Sequence, residues 1–147
     1  MTKEELLKRY ADGERDFYGE VFDEVDLSKV NLSGANLTKT VFLYCNLSQA
    51  NLSGVDLSDA DWNGSDLRGA NLSDATLRGA DLTTTNLSGA DLSGADLSDA
   101  DLSHADLRHA NLSHANMSHA NLRGADLHDA TTSGWRNADL SGAYYSR

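Results

Sequence analysis

Proline is absent from the 147 residues and cysteine occurs once. Without proline, every backbone N–H stays available for pairing, as a chain whose turns stack on one another requires. A single cysteine excludes an intramolecular disulfide. Bases are scarce: 12 Lys and Arg stand against 23 Asp and Glu, for a net charge of −11. The basic footprint of a nucleic-acid surface is therefore missing, and direct DNA or RNA binding is not expected. There is no twenty-residue apolar span and no signal-peptide pattern, so no membrane association is expected and the cytoplasm is the expected compartment. Phosphate loops, nucleophile elbows and paired catalytic carboxylates are missing too. Ser, Asp and His are so frequent that any apparent hydrolase triad is a matter of counting. Neither enzymatic activity nor a cofactor is expected.

What the chain does have is a repeat of five. Between Ala90 and Ala130 it spells Ala-Asp-Leu-Ser-Gly, Ala-Asp-Leu-Ser-Asp, Ala-Asp-Leu-Ser-His and Ala-Asp-Leu-Arg-His in succession. On an α-helix, at about 100° per residue, leucines five apart would spiral round every side. On a long β-strand an odd period sends successive leucines to opposite faces. A coil that turns a corner every five residues satisfies the pattern instead. The leucine then always points to the axis, the alanine two before it tucks into the corner, and four sides close one turn of twenty. Asp or Asn before the leucine and Ser, Thr or Arg after it point outward. The frequent fifth-position glycines, among them Gly34, Gly54, Gly69, Gly79, Gly89, Gly94 and Gly124, suit the third position of a type II turn, where φ is positive.

In frame the repeat runs from Arg15 to Gly134, which is 24 units or six coils, and 23 of the 24 central residues are apolar, Thr132 being the exception. Repeated Ala-(Asp/Asn)-Leu-x-x resembles the pentapeptide-repeat proteins. The resemblance implies an all-β fold, a right-handed quadrilateral parallel β-helix (a solenoid). A leader followed by Gly13-Glu14-Arg15-Asp16-Phe17 is similar to cyanobacterial members. One domain, 1–147, is expected, with a capping helix over 3–12, the β-helix over 15–134 and a C-terminal cap over 135–147. Thr2-Lys3-Glu4-Glu5 spells a capping box, and Leu6, Leu7, Tyr10 and Ala11 follow at helical spacing before Gly13. Such a helix would cover the exposed first coil.

Numbering the four faces from Arg15, the second carries Phe22, Phe42 and Trp62 at its centre, twenty residues apart, and a stacked aromatic column is predicted there. Thr40-Val41-Phe42-Leu43-Tyr44 departs from the pattern by placing Val41 and Leu43 where outward polar residues are the rule. With Tyr44, and Tyr18 around the corner, they form an apolar patch expected to be exposed and suited to an unidentified protein partner. Summed over six coils, the second face carries −5 and each of the others −2. Asp61, Asp81 and Asp101 are expected to stack on it at about 4.8 Å, either tolerated at the surface or kept for that partner. His104, His109, His114 and His119 hold the same corner position on four different faces. They point apart, so no metal site is expected. After Gly134 the frame slips by three and then resumes. Trp135, Tyr144 and Tyr145 either fold over the last coil or form an end face for a homodimer.

The function expected from all this is a non-enzymatic structural or protein-interaction rod. The family resemblance also implies an alternative, a DNA mimic that binds DNA gyrase and protects or inhibits it. The acidic charge fits it. The short, leucine-rich, loop-free shaft does not.

Overall fold

The computed structural model describes residues 1–62, 64–135 and 137–145. Its architecture follows from one five-residue unit, seen for instance at Ala70–Asp74. The Asn71 N–H donates to the Ala50 carbonyl at 2.9 Å, and the Leu72 N–H to the Asp91 carbonyl at 2.7 Å. Each side of the coil is thereby bonded to the side twenty residues before it and the side twenty after. The corner is a β-turn: the Ala75 N–H donates to the Leu72 carbonyl at 3.1 Å, and Asp74 holds a φ of 56°. Positive φ at the third turn position is the type II geometry.

The same bonds recur along the shaft, and parallel bridges join residues twenty apart from Asp16↔Asn36 to Asn111↔Thr131. Sides are so short that among the described residues only two qualify as strands. These are β1 (Val21–Asp23) and β2 (Val41–Leu43), paired in parallel with Phe22 opposite Phe42. The result is a parallel β-helix with twenty residues per turn. Its axis is filled by the central residues, from Phe17 to Leu127, and its corners by alanines. Phe22, Phe42 and Trp62 stack as expected, with ring centroids 5.2 and 4.2 Å apart and planes within 9° of parallel.

The left-handed corner is not reserved for glycine. Glu24, Lys29, Lys39, Gln49, Asp59, Asp99, His104 and His109 all hold φ between 53° and 62° at the fifth position. Single left-handed residues cost about 1–2 kcal/mol outside glycine, a cost offset here by the ladder bonds on both sides of each corner.

Helix α1 (Lys3–Ala11) begins at Thr2, whose hydroxyl accepts from the Glu5 N–H at 3.2 Å. Glu4 and Glu5 lie in its first turn and Lys8 and Arg9 in its last, the order that the helix dipole favours. Leu6 enters the core, and the Tyr10 hydroxyl donates to the Ser33 carbonyl at 2.9 Å. At the other end, past Gly134, the ladder resumes two residues out of step: Tyr144 bridges Asp126. Among the described residues no helix is long and apolar enough to cross a membrane.

Candidate functional site

Outward polar residues on the shaft are mostly committed to making corners. The Asp or Asn that precedes each central residue accepts, through Oδ1, the N–H two residues on. Examples are Ser28 to Asp26 at 2.9 Å, Ser73 to Asn71 at 3.0 Å and Ser103 to Asp101 at 2.9 Å. In many units the Ser hydroxyl donates to the same oxygen, as Ser93 does to Asp91 at 2.6 Å. These bonds hold carboxyls below their ordinary range. The Ser28 hydroxyl and then its N–H do so for Asp26, and the Ser141 hydroxyl and N–H for Asp139. At Asp106 the guanidinium of Arg108 has the same effect, with Nη2 to Oδ2 at 2.6 Å. For Asp66, partial burial acts upward and the Arg68 bonds outweigh it. Such acids are ionised and hydrogen-bonded at neutral pH, which suits a turn-maker and not a proton donor.

Against this background the second face of the early coils stands apart, together with Tyr18 on the adjoining first face. Tyr18 and Tyr44 are 56% and 63% exposed. The Tyr44 ring lies flat along the next corner, where a Cβ on Gly64 would sit 2.5 Å from its Cδ1. Val41 and Leu43, expected to be exposed, are half-buried. The reason is stacking: Val41 is sandwiched one coil spacing from both Val21 and Asp61, and their side chains shade it. Sequence reasoning missed Val21, which is 48% exposed. Laying the chain out in rows of twenty puts Val21 directly before Val41 in the outward column, a signal that was there to be read.

Further along the same column Asp61, Asp81 and Asp101 bridge in succession. Asp81 is exposed and the other two are half-buried. Asp81 accepts from the Thr83 N–H at 3.0 Å, and Asp101 also accepts from Asn121 Nδ2 at 3.3 Å. Apolar patch and acidic column thus form one continuous stripe parallel to the axis.

Four of the five histidines sort into two kinds. The rings of His104 and His114 lie over Gly124 and Gly134, one coil on. His109 Nδ1 is 3.8 Å from Asp129, and His128 Nδ1 is 2.5 Å from Asp126, whose carboxyl it holds low. Among the described residues no three His, Cys, Asp or Glu side chains converge to hold a metal. Cys45 is buried, its thiol donating to the Phe22 carbonyl at 3.3 Å, and burial pushes its pKa up.

At the C-terminal end the three aromatic residues separate. Trp135 folds in, its indole N–H donating to the Leu112 carbonyl at 2.8 Å, whereas Tyr144 and Tyr145 stay 62% and 43% exposed. Where the coil is shortened, a concavity of about 680 Å³ opens between Ser118–Arg123 and Asn137–Ser141. Its Asp139 is occupied by the Ser141 hydroxyl and N–H.

Comparison with known proteins agrees with this geometry. No curated protein sequence matches the chain. Among solved structures 37 chains match. A trypsin-treated form of QnrB1, a plasmid-mediated fluoroquinolone resistance protein, is 22% identical with a TM-score of 0.52, over 89% of this chain and 82% of that one. HetL, a pentapeptide repeat protein involved in heterocyst differentiation regulation in the cyanobacterium Nostoc sp. strain PCC 7120, is 27% identical over 97% and 96%, with a TM-score of 0.35. A second Nostoc pentapeptide repeat protein, alr5209, is 32% identical over 99% and 96%, with a TM-score of 0.26. The family model described as pentapeptide repeats matches with 8 copies over residues 21–59, 50–89 and 90–129. A twenty-residue coil built from five-residue sides, with leucine inward and Asp or Asn at each turn, is what those copies encode: the chain belongs to the pentapeptide-repeat family, and its fold is that family's right-handed β-helix.

Proposed function

We propose that the protein is a non-enzymatic cytoplasmic rod whose work is to present a surface to another protein. On this reading it is a quadrilateral shaft of about six coils, roughly 30 Å long, closed at the N-terminal end by α1 and at the C-terminal end by the described residues after Gly134. The observation that carries the reading is the exposed Tyr18–Val21–Tyr44 cluster with its half-buried companions Val41 and Leu43. Elsewhere on the shaft, outward positions are spent on turns. Here they hold apolar groups that the stack does not need, and an apolar patch rimmed by charge is the usual mark of a contact with a partner. Tyr144 and Tyr145 supply a second, smaller surface, through which two copies meet end to end.

The test is capture of partners from the native host by the wild-type chain and by Leu43→Asp/Tyr44→Ala. Loss of the same protein from the variant supports the reading. Recovery of identical partners by both removes the patch as the binding site.

A second reading is favoured by one observation, the net charge of −11: the rod mimics duplex DNA and occupies DNA gyrase, protecting or inhibiting it. QnrB1, described as a fluoroquinolone resistance protein, is the likeness that makes the assay worth running. A supercoiling assay with purified gyrase decides it: inhibition or drug protection at micromolar protein would establish it, and no effect would remove it.

A further inference from the structure

We infer that the second face binds a basic amphipathic α-helix laid along the rod, its apolar turns on the Val21–Tyr44 cluster and its Lys or Arg residues over Asp61, Asp81 and Asp101. This rests on the protein-binding reading above and names the kind of partner segment that the surface fits.

Charge singles out this face. On the third, Asp66 and Asp106 are each paired with the arginine two residues on, at 2.6 Å. On the fourth, the outward columns are mainly Asn and Ser, from Asn31 and Ser33 to Asn111 and Ser113. On the first, Lys39 and Arg78 are interspersed among the acids. The second face alone joins exposed apolar groups to a column of acids, and its single base, Arg123, lies at the far end.

Spacing selects the helix. The acids stand one coil apart, about 4.8 Å. One helical turn advances 5.4 Å, so residues at i, i+3 or i+4, and i+7 meet successive coils. Over the two intervals from Asp61 to Asp101 the mismatch grows to only about 1.2 Å, which long Lys or Arg stems absorb. An extended segment lying along the axis matches worse, since its same-face side chains recur at about 6.6–6.8 Å. Val21 and Val41 lie on the same column directly before Asp61, with Leu43 and Tyr44 beside them, so the complementary helix has about two apolar turns followed by three basic ones on a single stripe.

The test uses the full chain and a labelled synthetic 18-residue peptide with Leu and Phe on two turns and Lys on the next three, read by fluorescence anisotropy. A scrambled peptide of the same composition is the control. The striped peptide is expected to bind at least about tenfold tighter than the scrambled one. Asp61→Asn/Asp81→Asn/Asp101→Asn keeps the turn-making oxygen, as the natural Asn units do, so the fold survives, which circular dichroism checks. It should weaken binding about tenfold at low salt and flatten the salt dependence. Removing the same number of charges elsewhere, with Asp56→Asn/Asp91→Asn/Asp96→Asn, should change affinity by less than about twofold. If both triple variants weaken binding equally, attraction is nonspecific and the proposed helix site is wrong. If Leu43→Asp/Tyr44→Ala abolishes binding while the second-face triple has no effect, the patch stands and the basic helix falls. If neither matters, or the scrambled peptide binds as well, this inference fails on its own account, and the host-partner comparison then judges the broader reading separately.

Discussion

The early coils and the later ones solve one packing problem with different materials. Along the second face the early coils stack Phe22, Phe42 and Trp62, and the later ones stack Leu82, Leu102 and Leu122, all fully or almost fully buried. Parallel pairing at one coil spacing sets neighbouring rings about 4.8 Å apart, close to what offset-stacked aromatics prefer. Ring or leucine, the backbone path is unchanged. Inward variation is therefore absorbed by the stack. Outward variation is different in kind: Val21, Val41, Leu43 and Tyr44 occupy positions that later coils fill with Asp81, Thr83, Asp101 and His104, and nothing in the stack asks for them. Departures on the outside are where the molecule carries information beyond its own folding.

The sharpest way to break this comparison is to hollow each half in turn. Phe42→Ala, which leaves a gap between two rings, is expected to cost about 3–5 kcal/mol, and Leu102→Ala about 2–5. Guanidinium unfolding of both should place Phe42→Ala as the more damaging. The reverse order would mean that the aromatic column is loosely packed.

Corners offer the next contrast. At Gly124 a Cβ would collide with Nδ1 of His104, whereas at Gly89 it would meet nothing within 4 Å, and both glycines have φ near 70°. Gly89→Ala should show only the left-handed backbone cost, about 1–2 kcal/mol. Gly124→Ala adds overpacking, for about 2–4 kcal/mol in all. His104→Ala in the Gly124→Ala background should restore the difference. No rescue would show that the imidazole does not rest on that corner.

Smaller still is the effect at Trp62, whose buried indole Nε1 has no hydrogen-bond partner. Trp62→Phe keeps the stacked ring and removes the orphaned donor, so thermal unfolding should show stability unchanged or raised by about 1 kcal/mol. A loss above about 2 kcal/mol would mean that the larger ring's packing outweighs the unpaired N–H.

The smallest difference is in pH response. Asp106 is held low by Arg108, so its folded-state pKa lies below the unfolded value near 3.9. Its stabilisation is complete above that value and lost as pH falls through the folded one. Because Arg108 is half exposed, Arg108→Gln should lower stability only slightly at pH 7. The gap between variant and wild type should close by about pH 2, and a gap that widened there would reverse the assigned sign.

Much of this was legible because the fold spends its sequence openly. A period of five leaves a single inward position per side, and counting in twenties located the ring column of Phe22, Phe42 and Trp62. What escaped depends on neighbours one coil away. The half-burial of Val41 and Leu43 follows from flanking rows and not from their own polarity. Positive φ at Lys39 or His109 could not be read from residues that ordinarily avoid it, because the ladder imposes it. Trp135 parted from Tyr144 and Tyr145 because it still holds an ordinary inward corner position: its bond to the Leu112 carbonyl spans 23 residues, as do those of Thr40 to Phe17 and Ser65 to Phe42. On the candidate surface Tyr18 and Tyr44 were readable as outward aromatics, but Val21 needed the stacked register to be seen as part of the same cluster.

All of it depends on residues twenty apart being neighbours. Spin labels at Ser53→Cys and Ser133→Cys, in a Cys45→Ala background, measure this directly through dipolar distances. Four coils at about 4.8 Å put the two backbone positions about 19 Å apart, and a narrow distribution near that value is the expected result. A separation beyond about 40 Å would mean that the chain does not coil with this pitch.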